Sequence, residues 1–309
     1  PVHSYDMRVY FPVAKYFHEI DFEGVYLGSV KAYLEGEHLP PSSVAHVELR
    51  DLHTNLIVRA RDVMPDIDRV KDRFSPARWQ EFVEDMRYFW RSMGPPDYLG
   101  SLRDHGGNAT PVWLAIAHML FAYAPANEHT LTLAALLDPL LLALTFFCIA
   151  RSFGWRAMLV CLLVFGATDF PMFGSDWAGA TLRFDWMATL GLGACALRTG
   201  RPVLAGILLA HAGLARAFPA LGLLFVPVPV LLYAIERVGR TGLPGLRELR
   251  AAHPWLICTL VSGALAVSLL IGFSSALFGF EKAWGGWVGK IGLHTEDPNV
   301  NHVGVRTVM

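Results

Sequence analysis

The sequence predicts a mainly α protein: a polytopic transmembrane helix bundle with a large extracytoplasmic loop domain containing amphipathic and interfacial helices. Three observations predict it. First, 53% of the 309 residues are hydrophobic and 17% are charged, against roughly a quarter charged in ordinary soluble domains. Second, the charge is unevenly spread: residues 1–110 hold 13 Lys/Arg and 17 Asp/Glu, whereas 111–280 hold 10 and 7. Third, eight of those ten cations fall in alternate connections between apolar runs, the pattern expected of cytoplasmic loops.

Residues 1–110 read as a water-facing domain of mixed structure. "HVELRDLHTNLIVRA" alternates around a polar turn and predicts a hairpin. "SPARWQEFVEDMRYFW" predicts a helix with Ser75 as N-cap and Pro76 at its first position. The Gly- and Pro-rich stretch 94–111 predicts a loop. Within it Asn108-Ala109-Thr110 fits a glycosylation acceptor, a tripeptide that chance also supplies. "TPVWLAIAHMLFAYAP" is short, aromatic and bounded by prolines, and predicts an interfacial helix over 111–125. Residues 126–280 then predict about six spans, with apolar runs near 131–150, 157–171, 184–197, 202–218, 219–235 and 254–279. Asp138-Pro139 predicts a kink inside the first of them. Residues 281–309 read as an outer loop. The chain opens at Pro1 without a signal-peptide pattern, and this topology predicts a hydrophobic run of about 20 residues preceding it.

The arginines orient the bundle. Arg151 and Arg156 flank one connection, Arg198 and Arg201 another, and Arg237, Arg240, Arg247 and Arg250 crowd a third. Arg183 and Arg216 then fall at the opposite, outer face, together with Asp169, Asp176 and Asp185. The tail residues Lys290 and Arg306 fall there too, and Asp6, Asp104 and His105 share that side if 111–124 does not cross. A carboxylate at such a face can act as a general base, and an arginine can hold a phosphate by paired charge-assisted hydrogen bonds. Each residue also has a plainer reading. Asp169 and Asp176 suit a solvated turn, Arg183 and Asp185 a helix start, and Arg216 a cation snorkelling at a helix end.

Other classes find no support. A net charge of −1 without a basic tail argues against nucleic-acid binding. Cys148, Cys161, Cys195 and Cys258 all lie in apolar runs and read as small buried hydrophobes, and the 12 scattered His show no metal-ligand spacing. His294 and His302 read as surface residues.

Taken in order, these features resemble the GT-C superfamily of membrane glycosyltransferases, which use polyprenyl-phosphate-linked sugars. "SYDMRVYF" is similar to the family's first outer loop, with Asp6 in the place of its essential acid. "NATPVWLAIAHMLFAYAP", the basic turn "ARSFGWRA" and "LRFDWMATL" follow the family order. "LRTGRPVLAGILLAHAGLARAFPALGLLF" resembles the polyprenol-phosphate-mannose-dependent mannosyltransferase branch, with Arg216 where that branch more often has Lys. "NHVGVRTVM" resembles an outer-loop stretch of the same branch. The resemblance implies an inverting transferase in an inner (plasma) membrane, working on the extracytoplasmic side. It implies Asp6 as base; Asp104, His105, Asp176, Arg183 and Asp185 as acceptor or supporting residues; and Arg216, Lys290 and Arg306 as donor-phosphate ligands. The partners implied are a polyprenyl-phosphate sugar, a glycan, glycolipid or protein acceptor, and the bilayer. No cofactor is implied, because arginine neutralises the leaving phosphate, and the metal requirement stays open. The family continues through a helix before Pro1 and further spans after Met309. The alternatives are a transporter, which would bury charges at mid-span and show an internal repeat, and a non-catalytic scaffold with an outer binding domain.

Overall fold

The computed structural model describes residues 2–168, 180–216, 219, 226–241 and 245–296, and these are mainly helical. The chain divides into two units: residues 1–134 with 274–309, and residues 135–273.

Unit 1 starts with α1 (Ser4–Lys15). "SYDMRVYF" is thus helix rather than loop, because Met7, Phe11 and Ala14 recur at helical spacing and are all buried. Asp6 sits in the first turn, where the helix dipole favours a carboxylate. Helices α2 (Phe17–Ile20) and α3 (Val25–Gly36) follow. The expected hairpin forms: β1 (Glu48–Arg50) pairs antiparallel with β2 (Ile57–Arg59), with Leu49 opposite Val58. Its turn is held by the Asp51 carboxylate, which accepts from His53 N and Thr54 Oγ1.

After α4 (Met64–Lys71), α5 (Pro76–Met93) begins as its sequence predicts, with Ser75 Oγ accepting from Arg78 N. Its buried face of Trp79, Phe82, Val83, Met86, Phe89 and Trp90 packs on α3, where Tyr33 meets Trp90 edge-on at 5.5 Å. Stretch 94–111 is not simply a loop. Gly94, at φ 83°, ends α5, and Pro95 opens α6 (Pro95–Gly100), followed by one tight turn at 101–103. The Thr110 hydroxyl caps α7 (Pro111–Phe121) by accepting from Trp113 N, and Tyr10 donates to Asn108 Oδ1. These bonds engage both polar ends of the Asn-Ala-Thr tripeptide. Where an interfacial helix would show its apolar face to lipid, α7 buries it on α1, with Tyr10–Trp113 centroids 5.2 Å apart and Phe11–Phe121 4.9 Å apart. Only Met119 and Leu120, near its end, are exposed among its large apolar side chains.

α8 (Glu128–Ala135) and α9 (Leu137–Phe153) form one apolar stretch interrupted at Leu136, just ahead of Asp138-Pro139. Unit 2 continues through α10 (Trp155–Thr168), α11 (Asp185–Arg198), α12 (Pro202–Ala215), α13 (Val228–Thr241), α14 (Leu246–Ala252) and α15 (Pro254–Phe278). Two helices, Glu128–Phe153 and Pro254–Phe278, are long and apolar enough to cross a membrane. Only 22% and 11% of their apolar windows are buried, whereas the core helix of a soluble domain would be mostly covered. α10 and α12 are apolar but shorter. Arg237 lies in α13 and Arg247 in α14, so that cationic segment is largely helical rather than a bare connection. The cysteine expectation holds for Cys195 alone: Cys148 is half-buried, and Cys161 and Cys258 are exposed on apolar helices.

The chain then returns to unit 1. The Phe278 ring packs on Phe17 at 4.8 Å and on His118 at 5.3 Å. A wide helical turn at 281–285 leads into α16 (Gly286–Glu296), and Lys282 Nζ donates to His18 O over 2.6 Å.

Candidate functional site

In unit 1 the polar groups gather around the loop Asp104–Asn108. Gly106 has φ 74°, a left-handed backbone that favours glycine, and a Cβ there would stand 2.9 Å from Lys290 Nζ and 3.1 Å from the Leu52 methyls. His105 Nδ1 lies 3.1 Å from Asn55 Oδ1, which ties the loop to the hairpin. Trp287 Nε1 donates to Asn108 O over 3.4 Å, tying it to α16. The Asp104 charge is felt by Tyr5, Tyr26 and Lys290. Tyr5 also feels Asp6. Asp6 itself is paired with His3, Nδ1 to Oδ2 at 3.4 Å, and its side chain is a quarter exposed. Asp104, His105 and Lys290 thus gather at this loop, and Asp6 reaches it through Tyr5, which feels both acids.

Arg8 is the residue that reading missed here. It is fully buried, lies 5.0 Å over the Tyr26 ring, and donates from Nη2 to Ser101 O over 2.8 Å. Its Nε and Nη1 have no hydrogen-bond partner among the described residues. A buried guanidinium is costly unless paired or used. The only sequence signal was a charge among apolar neighbours in "DMRVYF".

Lys290 is also buried, and burial pushes its ammonium down to about 8, against the opposing pull of Asp104 and Glu23. Between that value and 10.5 the unfolded chain holds a proton that the folded chain has released, so stability rises with pH across this window. The gain is about 3 kcal/mol, at 1.36 kcal/mol per pH unit. Denaturant unfolding of unit 1 at pH 8 and pH 10.5 is expected to show this rise in the native chain and to lose it in Lys290→Met. Equal slopes in the two proteins would refute the assignment.

In unit 2 a second group forms at the start of α11. Asp138, 1% exposed, accepts from Arg183 N at 2.7 Å and Phe184 N at 3.3 Å, so a carboxylate on α9 caps the next helix but one. Asp185 is buried too, accepting from Trp186 N at 2.8 Å. Its Oδ2 lies 3.7 Å from His211 Nε2 on α12, and His211 Nδ1 lies 3.1 Å from Thr189 Oγ1. Thr189 Oγ1 also donates to Asp185 O, so the hydroxyl links the helix start to His211. The Arg216 charge, at the end of α12, reaches both Asp138 and Asp185. Arg183, Asp185 and Arg216 thus lie in one group with Asp138. Asp138 was read only as a kink and His211 not at all, although each is a polar residue inside an apolar run. Asp176 and Arg306 lie outside the described residues, as do Asp169 and His302.

Between α12 and α15 lies an apolar groove of about 390 Å³ lined by Gly206, Leu209, Leu256 and Leu260. Among the described residues no cluster of three or more His, Cys, Asp or Glu is placed to hold a metal ion. Compared with family models, with curated proteins and with solved structures, the chain matches none.

Proposed function

We propose that this chain belongs to an integral membrane glycosyltransferase that moves a sugar from a polyprenyl-phosphate donor to an acceptor on the extracytoplasmic side. The observation that carries this reading is the group Asp138, Asp185 and His211, with Arg183 and Arg216, held at the ends of apolar helices in unit 2. Ionisable groups are costly in such helices and are kept there for function. The apolar groove between α12 and α15 suits an isoprenoid chain. The residue roles follow the resemblance. The acceptor hydroxyl oxygen attacks the anomeric carbon and gives its proton to Asp6, while the bond from that carbon to the phosphate oxygen breaks. Polyprenyl phosphate leaves with the bonding electrons. The resemblance gives Arg216 the role of meeting a phosphate charge, Asp104 and His105 that of orienting an acceptor, and Arg183 and Asp185 a supporting role.

Full-length protein given polyprenyl-phosphate mannose is expected to transfer sugar. Asp6→Asn is expected to lose about 10²–10⁴-fold in kcat, the usual worth of a general base. Arg216→Ala is expected to lose about 10–100-fold in kcat/KM, corresponding to charge-assisted hydrogen bonds of about 1.5–3 kcal/mol. Transfer surviving both changes sinks the residue roles, and no transfer from any polyprenyl-phosphate sugar favours the scaffold or transporter reading.

A further inference from the structure

Unit 1 contains a cleft of about 490 Å³, inside the range of small-ligand sites, about 300–1,000 Å³. One wall is a single face of the helical stretch 281–293, where Lys282, Gly286, Gly289, Lys290 and Leu293 recur at helical spacing. The other wall is Asp21, Phe22 and Glu23 after α2, with Leu52 and His53 from the hairpin turn.

Glycine inside a helix costs stability against alanine and persists where something needs the space. A Cβ on Gly289 would meet nothing within 4 Å, so no protein neighbour explains the missing side chain. The charges on the walls largely neutralise one another: Lys282 pairs with Asp21 at 2.6 Å, and His53 with Glu23 at 3.1 Å. Lys290 remains, 6% exposed, with three N–H donors and one long hydrogen bond, 3.4 Å to Phe22 O. Glu281 remains as an acceptor at the mouth.

A cation is disfavoured by the two lysines, and an anion by Asp21, Glu23 and Glu281. A neutral polyol suits both, because each hydroxyl donates to a carboxylate and accepts from an ammonium. Leu293 offers an apolar surface to the C–H face of a pyranose ring, over a floor of buried Phe22 and Leu52. We propose that this cleft is a saccharide-binding site for one or two neutral pyranose units, lying over Gly289 and hydrogen-bonded to Lys290. Resting on the transferase reading above, it is the subsite for the acceptor glycan, a role that replaces the phosphate-binding one the resemblance implies for Lys290: the Asp104–Asn108 loop lies against the same lysine, a Cβ on Gly106 standing 2.9 Å from its Nζ.

The test is saturation-transfer NMR on the full-length protein in nanodiscs with methyl α-mannopyranoside and mannobiose, using inorganic phosphate and spermidine as competitors. Saccharide signal is expected, at least tenfold weaker in Gly289→Leu and in Lys290→Met, and not displaced by either competitor. The leucine enters open space on a helix, so the fold is retained, as circular dichroism of the variant checks. No signal, displacement by phosphate or spermidine, or full signal in Gly289→Leu overturns the proposal. If saccharide binds here and no donor supports transfer, the transferase reading falls and the binding site stands. If transfer occurs with the acceptor KM unchanged in Gly289→Leu, the site falls and the transferase reading stands.

Discussion

Asp85→Ala is expected to destabilise unit 1 by about 3 kcal/mol, the low end for breaking a buried ion pair, because Lys15 keeps Glu81 as a partner. Lys15 is 1% exposed, and its ammonium touches Asp85 Oδ2 and Glu81 Oε1, each at 2.7 Å, and donates to Ala124 O at 2.8 Å. Asp85 Oδ2 also accepts from Tyr16 OH at 2.6 Å, and Oδ1 accepts from Ala126 N at 2.7 Å. Burial, reinforced by Asp85, holds the Tyr16 phenol far above its usual range, so it stays a donor. One carboxylate thereby joins α1, α5 and the turn after α7, and its loss strands the Tyr16 hydroxyl and the Ala126 N–H and leaves Lys15 with Glu81 alone as counter-ion. Lys15→Met is expected to cost a similar amount. The double change Lys15→Met with Asp85→Leu is expected to cost less than the sum of the single changes, since no unpaired charge is left. Thermal and denaturant unfolding with a double-mutant cycle measures this, and single changes costing under 1 kcal/mol would refute it.

Gly206→Ala is expected to be the most damaging small substitution in unit 2. A Cβ at this position on α12 would collide with Ser262 Oγ and Thr259 O, and would stand 2.8 Å from Gly263 N. Two of the three obstacles are α15 backbone, which cannot rotate away. The third is fixed, because Ser262 Oγ donates to Cys258 O over 2.7 Å. Small residues that bring helix backbones together are the usual means of association in lipid, where no hydrophobic drive operates between helices. Overpacking costs about 1–3 kcal/mol where side chains can yield, and here the backbone must move, so the upper end or beyond is expected. Ser262→Gly is not expected to rescue the variant, since Thr259 O and Gly263 N stay in place. Gly272→Ala on the same helix meets nothing within 4 Å and is expected to be neutral or slightly stabilising. Melting temperatures of the three variants in one detergent decide the matter, and a Gly206→Ala protein as stable as Gly272→Ala would rule out this packing.

What the sequence made legible was local. The Ser75 cap, the hairpin around Asp51 and the helices at 185–198, 202–215 and 254–278 depend on residues close together in the chain. What it hid was distant pairing. Lys15 and Asp85 are 70 residues apart, Asp138 and Arg183 are 45 apart, and Lys290 and Phe22 are 268 apart. No periodicity encodes such partners. The available signal was a lone charge among apolar neighbours, as in "FPVAKYF" and "LLDPLL", which marks burial without naming the counterpart. The helical state of "SYDMRVYF" was hidden for a different reason: family order placed an outer loop there, against a helical repeat already present in the residues.

Unit 1 draws its helices from both sides of unit 2 in the chain, and this sets an order of assembly. Phe17 and Phe22 touch each other early, but Phe278 and Gly286, which cover them, leave the ribosome only after every helix of unit 2. Until then the first domain has an unfilled seam, and it can close only after the apolar helices have been made. Unit 1 can therefore be completed only after unit 2 has been synthesised, although most of unit 1 is made first.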